Sequence, residues 1–222
     1  ALDRYREILQ AMIDRGIEPM VTLHHFSNPL WLVEKGDFSS DIIVEYFQRY
    51  TARVVDTLGD LVTKWITINE PIVYFYSRYL EKAFPQPERT GFWAGTHAVR
   101  QMLRCHAAAY HMIKDRYPQA IVGVAKNIPI FEARPSGNRL DKWWATRLSR
   151  AFNDAWMDAV HDGRIRFPFG RGKIKNLAGT YDFIGINYYS REYDKLPPGT
   201  ERIEQEWGPD ARVTEGNAGE SA

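Results

Sequence analysis

The chain has 222 residues, 44% of them hydrophobic and 26% charged, which is enough apolar material for one sizeable core. A net charge of +1 gives no electrostatic case for a nucleic-acid or anionic-membrane partner, and the single cysteine, Cys105, excludes an intrachain disulfide. No apolar run approaches the roughly 20 residues needed to span a bilayer. Leu2, Tyr5, Ile8, Leu9, Met12 and Ile13 recur at helical spacing, and Gly16 follows as a stop that tolerates positive φ. Residues 17–23 read as a strand ending at His24-His25-Phe26. A second helix is expected from Ser39-Ser40-Asp41, whose side chains offer capping oxygens, through Ile43, Phe47, Tyr50 and Val54 to Gly59. Residues 61–68 form the next strand, ending at Asn69-Glu70-Pro71.

A long helix covers about 96–117 and stops at Pro118, and 120–125 is a third strand. Residues 143–160 carry another helical pattern, and Cys105, in the long helix, reads as a packed thiol. Residues 181–186 are a fourth strand, ending at Asn187-Tyr188-Tyr189. Segments 129–139 and 167–179 are loop-like, and 195–222 reads as loop or frayed tail. Strand alternating with helix predicts a parallel sheet within one domain over 1–222. The strand centres fall roughly 45, 58 and 61 residues apart, more than a bare βαβ unit needs, so the units carry loop insertions of the kind that build a site on a (β/α)₈ barrel.

Three of the four apolar runs end in polar clusters: His24-His25, Asn69-Glu70 and Asn187-Tyr188-Tyr189. In a parallel barrel these are the C-terminal strand ends, where catalysis occurs. Proline disfavours the α region for the residue before it, so Glu70 is expected to be extended, with Pro71 opening a helix. A carboxyl in that partly desolvated mouth, beside Trp65 and the Tyr74–Tyr79 aromatics, suits a general acid; the competing reading is a carboxylate favoured by a helix N-terminus.

His24 and His25 are neighbours on a strand and point to opposite faces, which opposes a shared metal. One of them faces the barrel mouth and the other packs as a satisfied histidine. His97, His106, His111 and His161 lie in or beside helical patterns and read as structural. No glycine-rich phosphate loop occurs, so neither a nucleotide cofactor nor a metal is called for.

Residues 18–32 (Glu-Pro-Met-Val-Thr-Leu-His-His-Phe-Ser-Asn-Pro-Leu-Trp-Leu), 65–71 (Trp-Ile-Thr-Ile-Asn-Glu-Pro) and 182–190 (Asp-Phe-Ile-Gly-Ile-Asn-Tyr-Tyr-Ser) closely resemble glycoside hydrolase family 1, the β-glucosidase/β-galactosidase family, in order and spacing. Trp156-Met-Asp-Ala and Gly163-Arg-Ile-Arg-Phe-Pro168 look like the family's segment before its sixth strand. The resemblance implies a partial TIM (β/α)₈ barrel, about strands three to six with their helices. It also implies retaining hydrolysis of β-linked glycosides without a cofactor. Glu70 would be the acid/base and Asn69 would bind the sugar 2-OH. His25 and Phe26 would contact the glycone, and Asn187 and Tyr189 would support the nucleophile. Phe26 replaces the family's usual Trp, and Ser77–Pro85 lacks glycines common there.

The strands that would carry the nucleophile are missing from the pattern. Val213-Thr-Glu-Gly-Asn217 imitates the nucleophile motif, but its Gly and Asn are transposed and no apolar strand precedes Glu215. The chain also starts inside a helical pattern without Met, so it reads as an internal stretch; cytoplasmic localisation is the expectation. The alternative is a non-catalytic carbohydrate-binding module, or a half-barrel that pairs with a complementary half or with itself.

Overall fold

The computed structural model describes residues 1–84, 89–133, 137–194 and 204–207, the last four and 192–194 by backbone alone. Elements run in the order α1 Leu2–Ile13, β1 Met20–His24, α2 Leu30–Glu34, a 3₁₀ turn Asp37–Ser39, α3 Ile43–Leu58, β2 Lys64–Asn69, α4 Pro71–Phe75 and a π-helical turn Tyr76–Leu80. Then follow α5 Phe92–Arg116, β3 Ile121–Asn127, β4 Ile130–Ala133, α6 Arg139–Ser149, a π-helical turn Arg150–Asp154, α7 Ala155–Asp162, β5 Arg164–Ile165, β6 Gly172–Lys173, β7 Phe183–Asn187, β8 Ser190–Asp194 and β9 Glu204–Trp207. The chain divides into two compact units, residues 1–128 with 150–187, and residues 129–149 with 188–222.

The first unit is built on a parallel sheet of order β1-β2-β3-β7, the four strands that hydrophobic patterning predicts. Helices cover it through their apolar stripes. In α3, Ile43, Phe47, Thr51, Val54, Val55 and Leu58 are buried, three to four residues apart. In α5, Ala98, Val99, Met102, Cys105, His106 and Ala109 face inward. Each fully buried aliphatic side chain contributes about 1.5–3 kcal/mol, and the core continues through Trp65, Val122, Val124, Trp156 and Leu177. Cys105 is fully buried, and burial pushes its thiol well up, so it is the packed thiol the sequence suggests. Gly95 lets α5 approach α4, since a Cβ there would sit 2.5 Å from the Phe75 ring.

Several sequence expectations need correction. No side chain caps α3: it starts at Ile43, and the Ser39 hydroxyl instead donates to Gly36 O. Residues 129–139 contain β4, and the loop-like 167–179 contains β6, paired antiparallel with β5. In the second unit β8 pairs in parallel with β4 and antiparallel with β9, so the expected tail contains a strand at 204–207; the rest of 195–222 lies outside the described residues. The sequence Glu204-Gln-Glu-Trp207 has no apolar alternation to announce a strand, and pairing with a neighbour decides it.

Candidate active site

The site is set by an irregularity in β2. Ile66 pairs with Gly123 and Asn69 with Ala125, so two residues of β2 stand opposite one of β3. Strict alternation would send Ile66 and Asn69 to opposite faces. The bulge puts them on the same face and re-aims the strand's end. Glu70 follows with φ 46 and ψ 60, in the left-handed region rather than the extended one expected from Pro71. Its N–H donates to Ala125 O at 2.7 Å, which holds this conformation against its steric cost. Pro71 opens α4 as expected.

Glu70 and Asn69 are both buried, at 5% exposure each. Asn187, at the end of β7, stands in register with Asn127 of β3. Its Nδ2 donates to Glu70 Oε1 at 2.6 Å and to Asn69 Oδ1 at 3.2 Å. Three residues from the ends of two non-adjacent strands thus form one polar cluster. Trp65 is not part of it: it lies five residues back, roughly 16 Å along the strand, and its indole donates to Val62 O. Tyr74 and Tyr79 are fully buried in the segment after Glu70.

His24 and His25 separate as alternation requires. His25 is exposed and meets Phe26 edge to face at 5.0 Å. Phe26, at φ 66, stacks on Tyr74 with centroids 6.4 Å apart and on Phe84 at 5.5 Å. His24 is buried edge-on to Phe38 and Tyr74, and its ring nitrogens make no hydrogen bond of good geometry, so it is packed but not satisfied. Burial, then the charge of Arg78, pushes it down to about 3. Tyr189 belongs to the second unit and is half exposed.

The sequence reading missed a buried network linking the segments after β1 and β2. Asp37 is ion-paired with Arg78, and both are within 1% of fully buried. The Tyr74 hydroxyl donates to Asp37 Oδ2 at 2.6 Å, and Asn28 Nδ2 donates to Asp37 Oδ1 at 2.6 Å. A lone arginine in the aromatic run Tyr74–Tyr79 was the available signal. A second missed residue is Lys126, a cation inside the apolar strand β3 and fully buried. Two of the helical histidines bond within the fold: His106 pairs with Thr67 Oγ1 at 2.6 Å, and His111 with Asn176 O at 2.8 Å. Among the described residues no three His, Cys, Asp or Glu side chains converge as a metal site requires.

A buried carboxyl and two carboxamides at the C-terminal ends of parallel strands can exchange a proton with a ligand oxygen and hydrogen-bond its hydroxyls. The profile of Glycosyl hydrolase family 1 matches residues 1–212. The chain belongs to this family. β-Glucosidase A of Thermotoga maritima is 27% identical over 210 residues, covering 89% of this chain and 46% of that protein. The β-galactosidase of Sulfolobus acidocaldarius is 30% identical over 206 residues, covering 86% and 40%. The β-glycosidase from Pyrococcus horikoshii superposes with a TM-score of 0.78 at 31% identity, covering 96% of this chain and 48% of that one. This family 1 chain therefore spans about half the length of the relatives it matches, and its parallel α/β sheet is part of their barrel.

Proposed function

We infer that this chain is the acid/base-bearing part of a retaining β-glycosidase acting on terminal β-D-glycosides of glucoside or galactoside type. The observation that carries the reading is the Asn69–Glu70–Asn187 cluster at the strand ends. In this reading a second carboxylate, supplied from outside the described residues, attacks the anomeric carbon. The glycosidic C–O bond breaks, and Glu70 gives its proton to the departing oxygen. Glu70 then takes a proton from water, whose oxygen displaces the enzyme carboxylate. The two carboxyls of a retaining pair stand about 5–5.5 Å apart. Asn69 bonds the sugar 2-OH, His25 and Phe26 line the glycone, and Asn187 and Tyr189 support the nucleophile.

With one strand-end carboxylate among the described residues, the covalent route needs a second from elsewhere, so in this reading the chain alone is expected to turn over an aryl β-glucoside negligibly. A binding-only module has little use for a buried acid at this position, which favours the enzyme reading. No helix among the described residues is long and apolar enough to cross a membrane. The test is hydrolysis of aryl β-glucosides and β-galactosides by the chain alone and by a barrel completed with the missing strands. Glu70→Gln should abolish turnover of a substrate with a poor leaving group in the completed barrel. Unchanged turnover in that variant overturns the assignment of Glu70, and Glu70-dependent turnover by the chain alone overturns the expectation that the chain by itself is inactive.

A further inference from the structure

Residues 164–175 gather five cations, Arg164, Arg166, Arg171, Lys173 and Lys175, in twelve positions without an Asp or Glu. The chain as a whole carries only +1, so the rest of it is net negative and its charge is segregated. This segment contains the antiparallel pair β5 and β6, in which Arg164 stands directly opposite Lys173 and Ile165 opposite Gly172. Like charges placed opposite each other across strands work against pairing. The hairpin is held instead by its apolar side. Ile165, Phe169 and Ile174 are buried, the Phe169 ring meets that of Phe75 edge to face at 5.3 Å, and the Ile174 N–H donates to Gly163 O at 2.9 Å. Neutral polar residues would suit the exposed side without the repulsion, so folding alone does not account for the cations.

Arg164 and Arg166 flank Ile165 and so point away from the core that it enters. With Arg171, Lys173 and the ring of Phe167 they surround a hollow of about 420 Å³. Asp162 neutralises one of the four cations: it is ion-paired with Arg166, and its Oδ1 also accepts the Arg164 N–H at 2.9 Å. The side chains of Arg171 and Lys173 make no hydrogen bond or ion pair among the described residues. Phe167, at the rim, is 79% exposed. A concave surface lined by charge of one sign focuses its field and concentrates ions of the other.

We propose that this hollow is a binding site for a small ligand bearing two or more phosphate-type negative charges, held by Arg164, Arg171 and Lys173. Each guanidinium can meet two phosphate oxygens at once, and the ammonium adds a point charge. Arg166 stays with Asp162, and Phe167 offers its ring to the organic part of the ligand. The size of the hollow sets the class. It admits a diphosphate or a phosphorylated molecule of about the size of a sugar, whereas a nucleic acid or a lipid surface needs cations spread over a broad face. None of the residues around it belongs to the Asn69–Glu70–Asn187 cluster.

The experiment is a calorimetric titration of the chain, or of the whole protein containing it, with inorganic pyrophosphate at low salt, where exposed charges are screened least. A single site per chain is expected, with an affinity that falls as salt is added. Arg171→Met and Lys173→Met change exposed side chains, so circular dichroism should not move. Each should weaken binding by about 10-fold, and the two together should abolish it. Lys35→Met, which removes an exposed cation outside the hairpin, should leave binding as it is. Absence of binding, or equal weakening by Lys35→Met, overturns the proposal. So does a chain that ignores pyrophosphate yet sediments with phosphatidylserine vesicles in an Arg171-dependent way, since the hairpin would then be a membrane contact. No arm of the test needs turnover or Glu70, so its failure and that of the glycosidase reading are told apart.

Discussion

Asn187 Nδ2 and Glu70 Oε1 meet at 2.6 Å across 117 positions of sequence. The same amide reaches Asn69 Oδ1, so a single side chain fixes the geometry of both neighbours. A hydrogen bond to a charged group contributes about 1.5–3 kcal/mol. Asn187→Ala should therefore lower kcat/KM of a completed barrel by roughly 10- to 100-fold, with the fold intact by circular dichroism. Wild-type kinetics in that variant would show that Glu70 is positioned by other means.

Gly123 makes that meeting possible. A Cβ there would lie 2.3 Å from the Phe183 carbonyl oxygen and 2.8 Å from its ring, on the strand that carries Asn187. Backbone cannot yield as the tip of a long side chain can. Gly123→Ala should cost about 1–3 kcal/mol in urea unfolding and shift the Asn187 side-chain amide resonance. Both measurements should move together, because one displaced strand causes both.

The four strands of the main sheet are legible because each is a short apolar run closed by polar residues, and parallel pairing buries such runs on both faces. Glu70 and Asn187 are legible as strand-end residues for the same reason. Their hydrogen bond is not, since it depends on the register of β3 against β7. The left-handed Glu70 is hidden as well: local sterics before Pro71 argue for an extended residue, and the bond to Ala125 O, together with the bulge in β2, overrides them. Lys126 and Arg78 do leave a mark in the sequence, each a lone cation in an apolar segment. Only the fold names their partners.

The Asp37–Arg78 pair should behave as a buried ion pair. Removing one partner leaves the other charged and buried, at a cost of about 3–5 kcal/mol. Asp37→Ala also deprives Tyr74 and Asn28 of their acceptor. At about 2–4 °C per kcal/mol for a chain of this size, its Tm should fall by roughly 6–20 °C. The double variant Asp37→Leu with Arg78→Met should recover much of that loss in calorimetry. A double variant no more stable than Asp37→Ala would mean that packing around Tyr74, rather than the charges, sets the cost.

Acid should destabilise the chain through two buried imidazoles. Burial holds His24 down to about 3 and His106 to about 4. In the unfolded chain both take up a proton below about 6.5, while the native state does not, so the unfolded state binds more protons throughout that window. Their contribution is intact above about pH 6.5 and is lost as pH falls toward 4 and then 3. At its steepest the pair gives a slope of about 2.7 kcal/mol per pH unit, or two protons. Lys126 acts in a separate window: its native proton leaves near 7 while the unfolded chain keeps it to about 10.4, so stability should rise again with pH above neutrality. Urea midpoints at pH 7, 6, 5 and 4 measure the acid slope. His24→Phe, which keeps a ring between Phe38 and Tyr74, should halve it. An unchanged slope in that variant would place the acid sensitivity in groups other than His24.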